Sequence, residues 1–325
     1  MSTPNSSESS SESKVVLVML ATGKQGSGVV RALAQINADS PPTSPPPWTI
    51  LAQTRSASSS KSAALAALPG VHLIEGSPSS PKALFAASPA PVYAVYSVQL
   101  GLDNLGGLDA EVREAQLLAD AAAKHGVRHF IYAGANFGNA PGNRTGVPHL
   151  DTKRLGETYL QTTHPTLPTT FLRPVTFMDQ LVQDPTTLVG RLTKIMFLCQ
   201  LAPSTSLQLV AASDVGRVAA LALQDPDEYV GRTVDVVGDE LTAAGMESGW
   251  REAFASEGIK SEMRPEMTGG SALSWVVKNM TKDLRLMFKF FNEVGYNADL
   301  AAAREMYPEM KDWKTFLRTE APRPA

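Results

Sequence analysis

The fold of this chain is decided by the stretch Val15-Val-Leu-Val-Met-Leu-Ala-Thr-Gly-Lys-Gln-Gly-Ser-Gly28-Val-Val-Arg-Ala-Leu33. Six apolar residues open it, a tight turn with glycines follows, and apolar residues then recur at helical spacing. This order predicts a buried strand, a turn and a helix. The N–H groups that begin such a helix have no partner within it and can face an anion. The stretch therefore indicates a phosphate cradle.

The glycine pattern of this turn is incomplete. Gly23 and Gly26 would let the backbone approach a pyrophosphate and let the helix pack on the strand. Leu20 occupies the first position of the pattern, where it can crowd the turn. The turn by itself is compatible with two interpretations, a nucleotide-binding site and an ordinary strand-to-helix connection.

Composition narrows the classes of protein to which the chain can belong. Its 325 residues suffice for one large α/β unit, or for a large domain with a smaller one attached. A net charge of −3, without a basic run that includes aromatics, argues against nucleic acid as a partner. The lone cysteine excludes an internal disulfide, and no apolar span predicts a signal peptide or a membrane helix. We therefore expect a cytoplasmic protein.

The alternation of predicted elements indicates the fold class. Strands are predicted at 48–54, 71–75, 92–96, 129–133, 169–173 and 207–210, with helices between most of them. This alternation predicts an α/β fold with a doubly wound parallel sheet and helices on both faces. Gly126 is predicted to close one helix, and Ser213 or Asp214 to cap the helix that runs through Val218 to Leu223.

The chain divides by composition into three parts. Residues 1–13 are rich in Ser and Glu and are predicted to be a disordered tail. Residues 14–238 carry the alternation of strands and helices and form the main domain, which also contributes some segments to the substrate side. Residues 239–325 are predicted to form a smaller, mostly helical lobe on the substrate side. The proline-rich segment 40–47 fits a surface loop better than a ligand for a proline-binding module.

The end of the second predicted strand bears on the choice of dinucleotide. A fold that prefers NAD places a carboxylate there for the ribose 2′-OH, whereas one that prefers NADP places a cation there. Here the strand runs into Arg55, the hydroxyls of Ser56, Ser58 and Ser59 follow, and no acidic residue occurs before Glu75. NADP is favoured, and the alternative interpretation of Arg55 is a solvated surface arginine.

Several segments, taken in their order, resemble the NmrA-like proteins, an atypical branch of the short-chain dehydrogenase/reductase superfamily. They are Ala21-Thr-Gly-Lys-Gln-Gly26, Gly126-Val-Arg-His-Phe-Ile-Tyr132, His149-Leu-Asp-Thr-Lys153, Leu172-Arg-Pro-Val-Thr-Phe-Met178 and Ser213-Asp-Val-Gly216. The resemblance covers residues 14–318. It implies a Rossmann domain that binds NADP(H), in a family that includes reductases and regulators that sense the cofactor.

The resemblance also implies which residues hold each part of the cofactor. The pyrophosphate would lie on Leu20, Ala21, Thr22, Gly23, Lys24 and Gln25. The 2′-phosphate would lie near Arg55, and the adenine near Gly76 and Ser77. The nicotinamide ribose would lie near Ser97, Val98 and Gln99, and the nicotinamide beside Lys153, Pro174, Val175, Thr176 and Phe177. Two positions depart from the family pattern. Leu20 stands where the family has glycine, and Ser77 stands where an acidic residue is usual.

Lys153 is the candidate catalytic residue. Ordinary short-chain dehydrogenases use Tyr-x-x-x-Lys, in which the lysine lowers the tyrosine pKa so that the phenol can pass a proton to a carbonyl. In this chain His149 stands at the tyrosine position, and Gly134 follows the fifth strand where a serine would polarise the carbonyl. Lys153 can still bind the nicotinamide ribose and act as acid or base, or be an exposed helix lysine. His149 can be a proton shuttle or a histidine that only begins a helix.

Other reactive side chains offer weaker candidates. Cys199 follows Ile195-Met-Phe-Leu and is predicted to be a buried structural thiol. The histidines show no metal-ligand spacing, so no metal site is expected. An apolar stripe at helical spacing is predicted to form core or the wall of a substrate pocket, with part of it open to a protein partner. It consists of Leu273, Val276, Val277, Met280, Leu284, Met287 and Phe288.

Three functions follow from these residues. The first is an NADPH-dependent oxidoreductase that reduces a small carbonyl or enone compound with the help of Lys153. The second is a non-catalytic NADP(H)-sensing protein that binds a protein partner, which the missing tyrosine and serine favour. The third is a fold that no longer binds its cofactor, and it is supported by Leu20 at the first position of the glycine pattern. The cofactor-facing segments and an apolar C-terminal lobe together favour the oxidoreductase.

Overall fold

The computed structural model describes residues 13–41, 45–100, 107–140, 142, 144–182, 188–255, 258–259, 262–263 and 282–323. The predicted tail, apart from Ser13, lies outside these ranges, as do residues 42–44 of the proline-rich segment. Part of the apolar stripe also lies outside them, namely Leu273, Val276, Val277 and Met280.

A parallel sheet forms the centre of the molecule. The strands are β1 (Lys14–Val18), β2 (Trp48–Thr54), β3 (Val71–Glu75), β4 (Val92–Ser97), β5 (His129–Ala133), β6 (Thr169–Pro174), β7 (Thr176–Phe177), β8 (Leu207–Val210), β9 (Thr233–Val236) and β10 (Asp239–Leu241). Seven of them pair in the order β3-β2-β1-β4-β5-β6-β9, and the pairings are parallel. This confirms the predicted α/β fold class. The direction of strand order reverses between β1 and β4, which opens a crevice at the carboxyl ends of these strands.

Helices join these strands and cover the sheet. They are α1 (Lys24–Asp39), α2 (Ser60–Ala66), α3 (Pro81–Ala86), α4 (Gly107–Lys124), α5 (Pro148–Thr163), α6 (Met178–Leu181), α7 (Leu188–Gln200), α8 (Ala212–Gln224), α9 (Pro226–Tyr229), α10 (Ala243–Ala255), α11 (Lys282–Glu293), α12 (Leu300–Met306) and α13 (Trp313–Thr319). Helices α1 and α8 pack backbone to backbone, because a Cβ on Gly216 would overlap the backbone of Gly28. Within the described ranges, no helix combines the length and the apolar composition needed to cross a bilayer.

Apolar side chains form two buried clusters. The larger one surrounds the parallel sheet and includes β1, whose residues Val16 to Val18 are fully buried. The second lies under α6, α7, α10, α11 and α13, and includes a smaller sheet in the order β10-β8-β7. Residues of both clusters line the crevice at the carboxyl ends of the strands.

Two predictions about helix ends have different outcomes. Gly126 follows α4 with a φ of +66°, a left-handed conformation that favours glycine, so that prediction is confirmed. The predicted cap of α8 is wrong, since Ala211 is the N-cap and the N–H of Ala212 donates to Asp179 at 2.9 Å. Asp214 instead binds Lys311 at 2.5 Å, inside the protein.

The prediction that Cys199 is buried is also wrong. Cys199 is exposed on α7, whereas the two residues before it, Phe197 and Leu198, are buried. A helix turns through about 100° per residue, so a short apolar run extends around more than one face. Only part of such a run can face the core.

Candidate functional site

A cavity of about 570 Å³ occupies the crevice at the carboxyl ends of the strands. The turn after β1, the residues after β4 and β5, and α5 form one side of it, while α7 and α11 form the other. Many of the residues predicted for the site line it, namely Leu20, Gly23, Lys24, Gln25, Gly26, Val98, Gln99, Lys153, Pro174, Val175, Thr176 and Phe177. The sequence-predicted phosphate turn, ribose residues and nicotinamide residues therefore come together.

The turn after β1 is closed by its own backbone. The N–H of Gly23 donates to the carbonyl of Leu20 at 2.8 Å, and a Cβ on Gly26 would overlap that same carbonyl. Glycine at position 26 is therefore required for α1 to lie this close to the turn. Leu20 has a φ of +47°, in the left-handed region that strains a side chain and favours glycine. Its side chain is half-buried and lines the cavity.

Gln53, a residue of β2 that the sequence analysis did not single out, holds the turn in this conformation. It is fully buried, accepts from the N–H of Leu20 at 2.8 Å and donates to the carbonyl of Gly76 at 2.6 Å. One side chain thus ties the ends of β1 and β3 together. These contacts offset part of the cost of the left-handed residue.

The start of α1 is open towards the cavity. Its N-cap, Gly23, has no side chain to accept from the first N–H groups, and the first turn contains no acidic residue. The Nζ of Lys24 donates to the carbonyl of Asp179 at 2.9 Å, and burial lowers the pKa of this lysine below its usual range. Open N–H groups and a nearby ammonium favour a bound anion at this position.

The predicted 2′-phosphate and adenine residues lie outside the cavity lining, as do Ala21, Thr22 and Ser97. Arg55 is exposed just after β2 and forms no ion pair with any other described residue. Ser59 is the N-cap of α2 and accepts from the N–H of Ser62 at 3.2 Å. Ser56 and Ser58 share a hydrogen bond of 3.2 Å on the surface, and Ser77 is also exposed. Arg55 is the cation that remains available to a ligand in this loop.

Glu75 introduces a carboxylate into the same loop. The parallel register of β2 and β3 places Glu75 opposite Thr54, one residue before Arg55. The Oε2 of Glu75 accepts from the backbone N–H of Ala57 at 2.7 Å. A carboxylate therefore occupies an N–H group that a 2′-phosphate near Arg55 would also approach.

The residues after β4 offer a polar atom without a partner. The Nε2 of Gln99 donates to the buried hydroxyl of Ser97 at 2.9 Å. The Oε1 of Gln99 is buried and accepts no hydrogen bond from the described residues. A buried acceptor without a donor costs about 1–3 kcal/mol, which a ligand hydroxyl can offset.

Lys153 is held at the cavity by a buried acid. Its Nζ lies 2.7 Å from the Oε1 of Glu111, which α4 supplies, and 3.3 Å from the carbonyl of Gln99. Glu111 is 1% exposed, and its other oxygen accepts from the hydroxyl of Thr152 at 2.8 Å. The exposed-lysine interpretation is therefore wrong, because the ammonium is fixed between a carboxylate and the residues after β4.

The missing serine at position 134 has a packing explanation. A Cβ on Gly134 would overlap the Oε1 of Glu157, which pairs with Arg173 at 2.6 Å. Burial raises the pKa of Glu157, although its hydrogen bond to Arg173 opposes that change. This ion pair takes the space in which a serine side chain would otherwise point at the cavity.

His149 lines the cavity and is paired with an acid from a distant segment. It is the second residue of α5, and its Nδ1 lies 2.6 Å and 2.7 Å from the two carboxylate oxygens of Asp283 in α11. Its side chain is 19% exposed and that of Asp283 is 11% exposed. His149 and Lys153 are four residues apart, so both face the same side of α5.

The far wall of the cavity is apolar and aromatic. It consists of Phe177, Met196, Phe197, Leu284, Met287, Phe291 and Tyr296. Leu284 and Met287 belong to the predicted apolar stripe, and Phe288 of the same stripe is buried in the core behind them. Burial raises the pKa of the Tyr296 phenol to about 12, and its oxygen accepts from the hydroxyl of Thr176 at 3.3 Å.

Two acidic partners in this site were not predicted from the sequence. Glu111 and Asp283 are far from Lys153 and His149 along the chain, and no local spacing connects them. The register of two neighbouring parallel strands was a signal for Glu75, because it places Glu75 beside the end of β2. No group of three metal-ligating side chains comes together among the residues that the structure describes.

Known proteins share both the sequence pattern and the fold. A family model described as the NmrA-like family matches residues 12–317. The structure of NmrA, a negative transcriptional regulator, in complex with NADP is 18% identical, covers 95% of this chain and 96% of that chain, and has a TM-score of 0.68. The complex of NmrA with NAD has the same identity and coverage and a TM-score of 0.66. Citrobacter sp. triphenylmethane reductase complexed with NADP(H) is 18% identical, with coverage of 95% and 100% and a TM-score of 0.67.

Proposed function

Because this chain belongs to the NmrA-like family, we propose that it is an NADP(H)-dependent oxidoreductase that reduces a small, apolar carbonyl or enone compound. One observation carries the proposal. The same cavity joins the open turn after β1, the fixed ammonium of Lys153 and an aromatic wall. Such a cavity can hold a dinucleotide and an apolar acceptor side by side.

The residues present fit a dinucleotide. The uncapped start of α1 offers N–H groups to a pyrophosphate, and the close approach at Gly26 keeps that helix start at the turn. The unpartnered Oε1 of Gln99 is an acceptor for a ribose hydroxyl. When bound, the reduced nicotinamide supplies a hydride.

Lys153 would orient the ribose beside the substrate. Its ammonium has donors beyond those that Glu111 and Gln99 use, and the ion pair prevents it from swinging away. A donor fixed in this way aligns the reduced ring with an acceptor, and orientation is a large part of the barrier for a bimolecular transfer. Carbonyl reduction also needs a proton, which a group in the same cavity must deliver.

The loop after β2 favours NADPH over NADH. Arg55 is exposed and unpaired within the described residues, and a charge-assisted hydrogen bond to a 2′-phosphate is worth about 1.5–3 kcal/mol. Glu75 opposes part of this preference, because its carboxylate already occupies the N–H of Ala57. The ratio of the NADPH affinity to the NADH affinity therefore depends on both Arg55 and Glu75.

The apolar wall defines the class of substrate. The side chains of α7 and α11 that line the cavity are mainly apolar, and no described lining residue is acidic. A flat, uncharged carbonyl or quinone-like compound would bury its rings against Phe177, Phe197 and Phe291. In this division the domain formed by residues 14–238 holds the cofactor, and residues 239–325 complete the substrate side.

A second function, a non-catalytic NADP(H) sensor that binds a protein partner, is favoured by one observation. The position of the usual serine is occupied by Gly134, and the Glu157–Arg173 pair fills the space around it. The protein would then bind the cofactor in the same cavity and use it as a signal. Turnover distinguishes this function from the first.

The experiment is a titration of the purified protein with NADPH and with NADH, followed by NADPH oxidation with a panel of apolar enones, quinones and aromatic ketones. The oxidoreductase predicts tighter binding of NADPH and oxidation by at least one acceptor. Tight NADPH binding with no oxidation by any acceptor would favour the sensor. Failure to bind either dinucleotide would overturn both functions.

A further inference from the structure

His149, which lines the cavity, is paired with Asp283 of α11. The Nδ1 of His149 lies within 2.7 Å of both carboxylate oxygens of Asp283, and the backbone N–H of His149 also approaches Asp283 at 3.4 Å. Two contacts from one residue to the same carboxylate fix the position of the imidazole ring. The pair also connects α5, from the main domain, to α11, from the C-terminal lobe.

This contact assigns different roles to the two ring nitrogens. A carboxylate accepts hydrogen bonds, so the nitrogen that faces it carries a proton. Nε2 is then the nitrogen left to exchange a proton with another molecule. Among the described residues, Nε2 has no hydrogen-bond partner. A ring fixed in this way is prepared to exchange a proton with a molecule in the cavity.

Other titratable side chains that line the cavity are less suited to this role. Within the described lining they are Lys24, Lys153 and Tyr296. Lys24 lies at the phosphate turn and donates to the carbonyl of Asp179, while Lys153 is paired with Glu111. Tyr296 is half-buried, and desolvation holds the proton of its phenol more tightly than usual. His149 is the lining side chain that remains, and imidazole is the side-chain type most often used for proton transfer in enzymes.

We propose that His149, positioned by Asp283, is the proton donor of the reaction, in place of the tyrosine that this chain lacks. The proposal rests on the proposed oxidoreductase function. As hydride adds to the carbonyl carbon, the C=O π bond breaks towards oxygen, and that oxygen takes the proton from Nε2–H of the imidazolium. The products are an alcohol, oxidised NADP⁺ and a neutral imidazole. The ring regains its proton from water, which reaches it because the side chain is partly exposed.

The test compares four variants of the full chain, one of which, Tyr296→Phe, removes the alternative donor. His149→Asn keeps an N–H group near Asp283 but removes the proton donor, and Asp283→Asn removes the carboxylate that positions the ring. His164→Asn is the matched control, because His164 also pairs with an acid, Asp120, at 2.7 Å but lies outside the cavity. The measurements are the NADPH dissociation constant, the rate of NADPH oxidation by a saturating acceptor as a function of pH, and the imidazole proton NMR signals.

We expect His149→Asn to keep the NADPH affinity within about twofold and to lower turnover by about 10²–10⁴-fold, the usual range for a positioned acid. The alkaline limb of the pH profile, along which a proton donor loses its proton, should disappear with it. Asp283→Asn should lower turnover less and shift that limb, and the strongly hydrogen-bonded imidazole proton of wild type should be lost in both variants. His164→Asn should behave as wild type.

Several outcomes would overturn the proposal. Unchanged turnover and an unchanged pH profile in His149→Asn would remove His149 from the reaction while leaving the oxidoreductase function in place. Loss of turnover in Tyr296→Phe but not in His149→Asn would assign the proton to the phenol instead. If wild type holds NADPH but reduces no acceptor, the oxidoreductase function fails and the role of His149 fails with it.

Discussion

Replacing Lys153 with alanine should reduce both the stability of the protein and its affinity for NADPH, for two separable reasons. The substitution leaves the carboxylate of Glu111 buried, with only the Thr152 hydroxyl and no cation beside it. It also removes the donor that we assign to the ribose. A single variant therefore mixes a structural and a functional effect.

The magnitude of the structural effect follows from burial. Removing one partner of a buried ion pair costs about 3–5 kcal/mol. The side chain of Glu111 is 2% exposed, but that of Lys153 is 14% exposed and Thr152 still donates to the acid. We therefore expect the free energy of unfolding to fall by about 3 kcal/mol, the lower end of that range. NADPH binding should weaken by about 1–3 kcal/mol, or roughly 5- to 150-fold.

A double variant separates the two effects. Glu111→Gln in the Lys153→Ala background removes the unpaired charge and should recover about 2 kcal/mol of stability, with no recovery of NADPH affinity. Urea unfolding and NADPH titration of wild type and both variants measure the two quantities. The control is Lys289→Ala, whose partner Glu293 lies on the surface, and which should change stability by less than about 0.5 kcal/mol.

Two results would refute this reasoning. A loss of stability in Lys153→Ala no larger than that of the surface control would mean that Glu111 does not depend on Lys153. Recovery of NADPH affinity in the double variant would mean that the weaker binding came from misfolding around Glu111 and not from a lost contact to the cofactor.

Three further predictions address the remaining parts of the site and the core. Arg55→Ala should remove most of the preference for NADPH over NADH, and Glu75→Gln should increase that preference several-fold; equal effects on both dinucleotides in parallel titrations would refute the roles of these side chains. Leu20→Gly should relieve the strain of the left-handed backbone and stabilise the fold by up to about 1 kcal/mol. The NADPH affinity should change by less than tenfold. A loss of stability in urea unfolding would contradict this prediction. Burial lowers the pKa of His129 to about 4, whereas the ring in the unfolded chain binds a proton below about pH 6.5. The stability that the neutral ring contributes is therefore present above pH 6.5 and should fall by up to about 3 kcal/mol as the pH drops towards 4. The free energy of unfolding of wild type minus that of His129→Gln measures this term, and a difference that does not change with pH would refute it.

Six of the seven strands of the large sheet were predictable because their signals are local, whereas β9 was not predicted. The predicted bounds of β2, β3 and β5 match the structure, since each strand is a short apolar or β-branched run between turn residues. Gly26 was recognisable for a related reason, because close packing of a helix on a turn excludes every other side chain. The position of Lys153 beside the cavity was predictable from its spacing of four residues from position 149 on the same helix.

The acidic groups that pair with Lys153 and His149 were not predictable in this way. Glu111 and Asp283 reach Lys153 and His149 only through the packing of helices that are distant along the chain. The exposure of Cys199 depends on which face of α7 meets α11, and this cannot be deduced from an apolar run alone. The cap of α8 comes from Asp179, a residue of another helix that no pattern around Ser213 indicates.

The most direct measurement of whether this cavity performs reduction is the transfer of deuterium from NADPH to an acceptor. The full chain is loaded with NADPH deuterated at C4 of the nicotinamide and mixed with the acceptor panel in a single turnover, and the products are examined by mass spectrometry. The oxidoreductase predicts a product alcohol or saturated ketone with one deuterium on carbon, formed in wild type and strongly reduced in Lys153→Ala. NADPH that stays bound and deuterated in the presence of every acceptor would contradict the oxidoreductase and leave the cofactor sensor.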